Sequence, residues 1–518
     1  MSAMLKTVIK HVASPGAGSS RVERFLPLLV LTVMVYCYYY FFCENLPWFW
    51  YDDINVLERA DASTILENFK DIFNLLPKTF TVANRPVLIL FSKLCTAMFG
   101  EVPQYHRMFK LLFVIAACWI MVSVAVRYHV KQSLTIMLLL FFSTLPPVFI
   151  VNAWIYESEA LELFFKAASF AVFLVLCDDT RHDGMKKTLY CLLLLLLVIV
   201  ADKTKAPAKI IPILFLYYLV ITRNRDIKLY ATVLAALAAV VPYAVFFDKG
   251  LPIYHPSGSV PLELLKTFAT QMWGPLAIGA ISALIAGKSA VRNNLFLFAS
   301  GWLVCELLFF VVYPSDEMRY LYSAMAAACF WTAIATSHLS LKLNSTSSQY
   351  LLFSIVICVV ASLGLQNTRW VYNFRGSFCS VFILADKHMR YVNRMASNSL
   401  LLYDQSTEYY YKRYTTNDFI SPMIFERDKR LSSATLLNRP YENVFAVDSV
   451  CNTLASSIKL DCRWLTTFTA DNGSLFDKMQ SKAQFSIRHT SLYDNRLGQI
   501  GIYPMISSLF VMAKKHQP

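Results

Sequence analysis

The chain has 518 residues, 56% of them hydrophobic and only 16% charged. A soluble protein of this length would carry charge on roughly a quarter of its residues, so the composition excludes a soluble enzyme and indicates a polytopic α-helical membrane protein. The net charge of +14 is spread over short connecting segments instead of one soluble module, which excludes nucleic acid as a partner and makes the lipid membrane the medium.

Residues 1–24 are basic and polar, and the first apolar run, 25–43, is a full span and not the short core of a cleavable leader, so it reads as a signal anchor. Further apolar stretches follow at 108–126, 133–151, 160–177, 188–201, 207–222, 229–247, 267–287, 294–313, 319–336 and 349–365, about eleven spans in all. With the N-terminus cytoplasmic, the inner loops collect Arg127, Lys131, Arg181, Lys186, Lys187, Arg223, Arg225, Lys228, Lys288 and Arg292. Fewer bases remain outside: Lys203, Lys205, Lys209, Lys249, Lys266 and Arg319. Most of the 12 cysteines fall inside spans, where they act as small apolar residues, and no Cys/His spacing of the metal-binding kind occurs.

The first outer loop, 44–107, is long and ordered in its patterning. It opens with the adjacent acids Asp52 and Asp53, which read either as a solvated acidic turn or as catalytic groups, one taking a proton while the other positions a substrate. Ile65, Leu66, Phe69, Ile72, Phe73 and Leu76 recur at helical spacing, predicting an amphipathic helix on the membrane surface. The apolar piece 87–99 is too short to span and predicts a re-entrant or surface helix ending at Gly100.

Beyond 365 the hydropathy falls. Runs at 399–403 and 444–447 read as strands and 475–484 as a helix, so 366–518 is expected to form a soluble α/β domain, periplasmic or lumenal, after a 1–365 transmembrane catalytic domain. Within the spans, Glu162 and Lys166 are four apart and should pair, while Glu306 is either the partner of a buried base or a cavity wall.

Three outer turns carry charge on the same face as Asp52 and Asp53. They hold Trp154, Glu157 and Glu159; Lys203 and Lys205; and Arg319. Bases on the non-cytoplasmic side run against the topology rule, and phosphate is a natural partner for them. The alternative is that they bridge lipid headgroups.

This order of features resembles the GT-C membrane glycosyltransferases, in the branch of the protein O-mannosyltransferases and their bacterial relatives. The resemblance is carried by the acid pair after span one, Arg85-Pro86-Val87-Leu88, Phe99-Gly100 followed by His106, Trp154-Ile155, Lys203-Thr204-Lys205, and Arg319-Tyr320-Leu321-Tyr322. It covers about residues 25–325. Phe109 and Phe113 stand where the branch often has Asn and a second His, and Lys205 replaces a glutamate. The span layout is also similar to the serotype-conversion glucosyltransferases that decorate bacterial O-antigen, the lipopolysaccharide glycan.

What the resemblance implies is a polyprenyl-phosphate-linked sugar donor used at the periplasmic face of a bacterial inner membrane, with inversion at the anomeric carbon. Asp52, with Asp53 next, would be the base; Lys203, Lys205, Arg319 and Arg85 would bind the donor phosphate; Glu157, Glu159, Trp154 and His106 would contact the acceptor. Carboxylates at Glu157 or Glu159 would suit Mg²⁺ or Mn²⁺, and metal use is left open. An O-antigen polymerase or ligase would place its large loop late and centre on arginines. A transporter or flippase would show internal repeats.

Overall fold

Whether a helix can cross a membrane is first a matter of length, because each residue adds only about 1.5 Å along the axis. In the computed structural model the described residues are 21–44, 46, 52–73, 85–100, 102–178, 184–247, 260–291, 293–312, 318–343 and 345–375, with six short strands in the tail. The chain divides into two units, Met1–Glu44 with Val56–Tyr372, and Asn45–Asn55 with Asn373–Pro518.

The first unit is helical. Its helices are α1 (Arg21–Cys43), α2 (Asp52–Ala62, whose first residues belong to the second unit), α3 (Ile65–Phe73), α4 (Pro86–Phe99), α5 (Pro103–Arg127), α6 (Gln132–Thr144), α7 (Pro146–Ala153) and α8 (Glu159–Asp178). They continue with α9 (Gly184–Thr204), α10 (Ile210–Ile221), α11 (Ile227–Phe247), α12 (Val260–Ala286), α13 (Asn294–Val312), α14 (Tyr322–Lys342) and α15 (Thr346–Phe374). Among the described residues, 6 helical segments are long and apolar enough to span: Phe25–Cys43, Pro103–Arg127, Glu159–Asp178, Leu264–Ala286, Met318–Lys342 and Thr346–Phe374. A seventh arises if the bent pair α6–α7 counts as one span. Pro207–Ile221, Ile227–Val240 and Asn294–Phe309 are further apolar helical stretches among the described residues, and the expected count of eleven spans stays a proposal.

Local chemistry explains the breaks. Leu145 precedes Pro146-Pro147, and a residue before proline is pushed out of the helical region; Leu145 is extended (φ −64°, ψ 137°), and α6 and α7 meet at 66°. Thr64 and Glu67 cap α3 reciprocally, Thr64 N donating to Glu67 Oε2 at 2.7 Å and Glu67 N to Thr64 Oγ1 at 3.1 Å. That capping holds the exposed Glu67 carboxyl below the usual glutamate range. The helix expected from Ile65 onward forms as α3, with Ile65, Leu66, Phe69 and Phe73 exposed and Ile72 buried, while Leu76 lies outside the described residues and the membrane-surface position stays a proposal. α4 ends at Gly100, whose φ of +62° favours glycine.

At the centre of this unit lies α14, an almost completely buried helix on which α6, α12 and α13 pack. The run Ser323-Ala324-Met325-Ala326-Ala327-Ala328 keeps its surface low, so neighbouring backbones approach closely. Thr332 Oγ1 donates to Pro275 O of α12 at 3.1 Å. The expected Glu162–Lys166 pair forms at 2.7 Å, and Glu306 is the partner of that same base: Lys166 Nζ reaches Glu306 Oε1 at 2.7 Å. Trp302 Nε1 (2.9 Å) and Ser323 Oγ (2.6 Å) also donate to Glu306 Oε1. This buried knot joins α8, α13 and α14.

In the second unit, β1 (Ser399–Leu402) pairs in parallel with β2 (Asp418–Ile420) and β3 (Asn443–Ala446), and β3 pairs antiparallel with β6 (Val511–Ala513). β4 (Phe468–Thr469) and β5 (Ser508–Leu509) form a separate ladder. The strands expected at 399–403 and 444–447 coincide with β1 and β3. The helix expected at 475–484 lies outside the described residues, so the α/β class of the tail stays a proposal.

Candidate active site

The turn Trp154–Glu159 joins α7 to α8, and most of the predicted site residues meet there. Its position follows from the α6–α7 bend, which ends α7 early, and from buried cations of α5 that take the free carbonyls of α7's last turn. Arg107 Nε donates to Ala153 O at 2.7 Å, and Lys110 Nζ donates to both Val151 O and Trp154 O. Cations at a helix C-terminus are favourable on electrostatic grounds as well. The next helix starts with Glu159 and Glu162 in its first turn, the end that favours carboxylates.

Consecutive residues of the turn then each receive a partner. Tyr156 OH is 2.8 Å from His106 Nδ1, and His106 Nε2 is 2.6 Å from Gly100 O. A carbonyl only accepts, so Nε2 donates to Gly100 O. Glu157 pairs with Arg319, and Glu159 with Lys205. Between them, Ser158 Oγ accepts from Arg85 Nη1 at 3.4 Å. The Lys205 ammonium also sits 4.3 Å from the Tyr320 ring centroid, and the Arg319 guanidinium lies 5.7 Å from it.

The structure thus brings Arg85, His106, Trp154, Glu157, Glu159, Lys205 and Arg319 to one turn. Lys205 and Arg319 are each held by a buried carboxylate of the chain. His106 braces the turn against the end of α4 through Tyr156 and Gly100. Lys203 lies in the last turn of α9. Burial pulls its ammonium below the ordinary lysine range, against Asp202 and with a smaller push from Lys209. Asp202 itself pairs with Lys209 at 3.1 Å.

Asp52 and Asp53 open α2 and group with the second unit. A helix N-terminus favours carboxylates, and Asp53 is buried. Among the described residues, no cluster of three metal-type side chains occurs, and the two glutamates of the turn already face cations. That donor set does not fit a divalent ion.

Sequence reasoning missed Arg107 and Lys110. The signal was present: two cations three apart at the start of an apolar run, buried inside a spanning helix. Replacing Lys110 with Met is expected to orphan the carbonyls of Val151 and Trp154, loosen the turn and cut turnover about tenfold or more, while Lys110→Arg restores part of it. Turnover with a preserved gel-filtration profile checks this, and an unchanged rate in K110M would show that the turn is held otherwise.

No family profile matches the sequence, and no curated protein does. Among solved structures, the chain is similar to ArnT from Cupriavidus metallidurans in the apo state, with a TM-score of 0.54 at 12% identity over 86% of this chain and 96% of that one. The likeness shows a shared fold.

Proposed function

We propose that the chain is a membrane glycosyltransferase that moves a hexose from a polyprenyl-phosphate-linked donor to an acceptor hydroxyl. The observation that carries this reading is the turn 154–159, where Arg85, Lys205 and Arg319 converge with two buried glutamates. The leaving group of such a donor is a lipid phosphate, and preformed cations aimed at its developing charge lower the barrier of the bond-breaking step. The sequence resemblance and the fold shared with ArnT support the same reaction class.

In this mechanism Asp52 takes the proton of the acceptor hydroxyl as its oxygen attacks the anomeric carbon, and Asp53 positions the pair. The bond to the phosphate oxygen breaks in the same displacement, which inverts the anomeric configuration. Arg85, Arg319 and Lys205 receive the lipid phosphate, with Lys203 nearby in sequence. Glu157, Glu159 and the Trp154 region orient the sugars.

The setting we propose is a bacterial inner membrane, with the N-terminus cytoplasmic, the tail unit (about residues 366–518) an α/β domain in the periplasm, and an O-antigen or related lipopolysaccharide glycan as acceptor. Mass spectrometry of surface glycans from cells with and without the gene tests the proposal. A difference of one hexose per repeat is expected; identical glycans, with no hexose moved from a labelled polyprenyl-phosphate donor in reconstituted vesicles, would refute it.

A further inference from the structure

We propose that Glu157 and Glu159 are exchangeable counter-anions, holding Arg319 and Lys205 until a lipid phosphodiester takes their place. This rests on the phosphate-site reading above. Each glutamate is almost wholly buried (1% and 3% exposed), yet each is bound through a single oxygen, Oε1, to its cation. The second oxygen of each, Oε2, is buried with no hydrogen-bond partner among the described residues. A buried carboxylate with an orphaned oxygen is incompletely compensated, so such a pair is weaker than its burial suggests.

Arg85 supplies the entry point. Its guanidinium touches the neutral Ser158 hydroxyl, between the two glutamates in sequence, and has no carboxylate partner among the described residues. Arg85, Lys205 and Arg319 place three cations at the turn beside Glu157 and Glu159. A phosphodiester carries one negative charge and two unesterified oxygens, each able to accept from these donors. It can bind Arg85 first and then draw one or both of the other cations. The glutamates it displaces stay in the site with unpartnered oxygens, which suit the hydroxyl donors of a sugar. The ion pairs thereby keep both cations positioned before the donor arrives, and release of the pairs presents carboxylates to the sugar only when the phosphate is seated.

The test uses the full-length protein in lipid nanodiscs and farnesyl methyl phosphodiester as the probe, with farnesyl methyl ether as the uncharged control. Removing a competing anion should tighten phosphate binding, so Glu157→Gln and Glu159→Gln are each expected to bind the phosphodiester about tenfold more tightly, with the ether unaffected. If the glutamates were merely structural, the variants would bind more weakly or unchanged, which would overturn the exchange while leaving the phosphate site standing. A wild-type protein that binds the phosphodiester no better than the ether would instead overturn the site reading itself. The two glutamates pair with cations on different elements, so either variant carries the test if the other fails to fold. Infrared difference spectra of the wild type need no variant at all. Probe binding should shift carboxylate stretching bands, and their constancy would overturn the proposal.

Discussion

An Asp52→Asn enzyme is expected to lose sugar transfer by a factor of roughly 10²–10⁴, the range associated with removing a general base. Asparagine keeps the size of the side chain and its ability to accept a hydrogen bond, but it cannot take a proton from the attacking hydroxyl. Asp52 and Asp53 are the first two residues of α2. The comparison that matters is between binding and turnover. Donor binding by D52N should stay within a few-fold of wild type, because the proposed mechanism assigns the phosphate to the bases around the 154–159 turn, while turnover in reconstituted vesicles should collapse. Transfer at the normal rate would remove Asp52 from the mechanism. A collapse only in Asp53→Asn would hand the role to its neighbour.

The second large effect is on folding. Lys166→Met should destabilise the protein by about 3–5 kcal/mol, because it strips the ammonium from a buried group and leaves Glu162 and Glu306 without their common cation. The remaining donors to Glu306, Trp302 and Ser323, are neutral and cannot offset two carboxylates in an apolar interior. Loss of the knot would loosen α8 against α13 and α14, and α8 starts at Glu159, so activity should fall with stability. Replacing all three ionisable residues by apolar ones of similar volume should recover most of the thermal stability, since a buried charge cluster is often no more stable than a packed apolar substitute. Thermal unfolding in detergent distinguishes the two variants. If K166M unfolded at the wild-type temperature, the cluster would not be what joins these helices.

Much of the architecture can be read directly from hydropathy, because a helix that must be apolar all round leaves an unbroken signal. Local pairings are equally legible: Glu162 and Lys166 are one helical turn apart, and the Thr64–Glu67 cap is three residues long. What the sequence does not contain is partner choice over distance. Glu306 lies 140 residues from Lys166 along the chain, and nothing in either segment names the other. The same holds at the site. Charge placement puts Glu157, Glu159, Lys205 and Arg319 on one membrane face, yet only the folded chain decides that Arg319 takes Glu157 and Lys205 takes Glu159. The bend at Leu145 had a visible cause in Pro146-Pro147, but a continuous apolar run masked it.

The four apolar side chains that α3 turns outward have a consequence for how the proposed donor would be found. α3 packs on α4, whose first turn is preceded by Arg85, and on α9, whose last turn holds Lys203. In the proposed setting α3 lies at the boundary between headgroups and acyl chains and sets the depth at which its attached neighbours ride. A lipid-linked donor in the same leaflet would carry its phosphate at that level. Its search would then take place in two dimensions, by lateral drift, and its tail would never have to leave the bilayer.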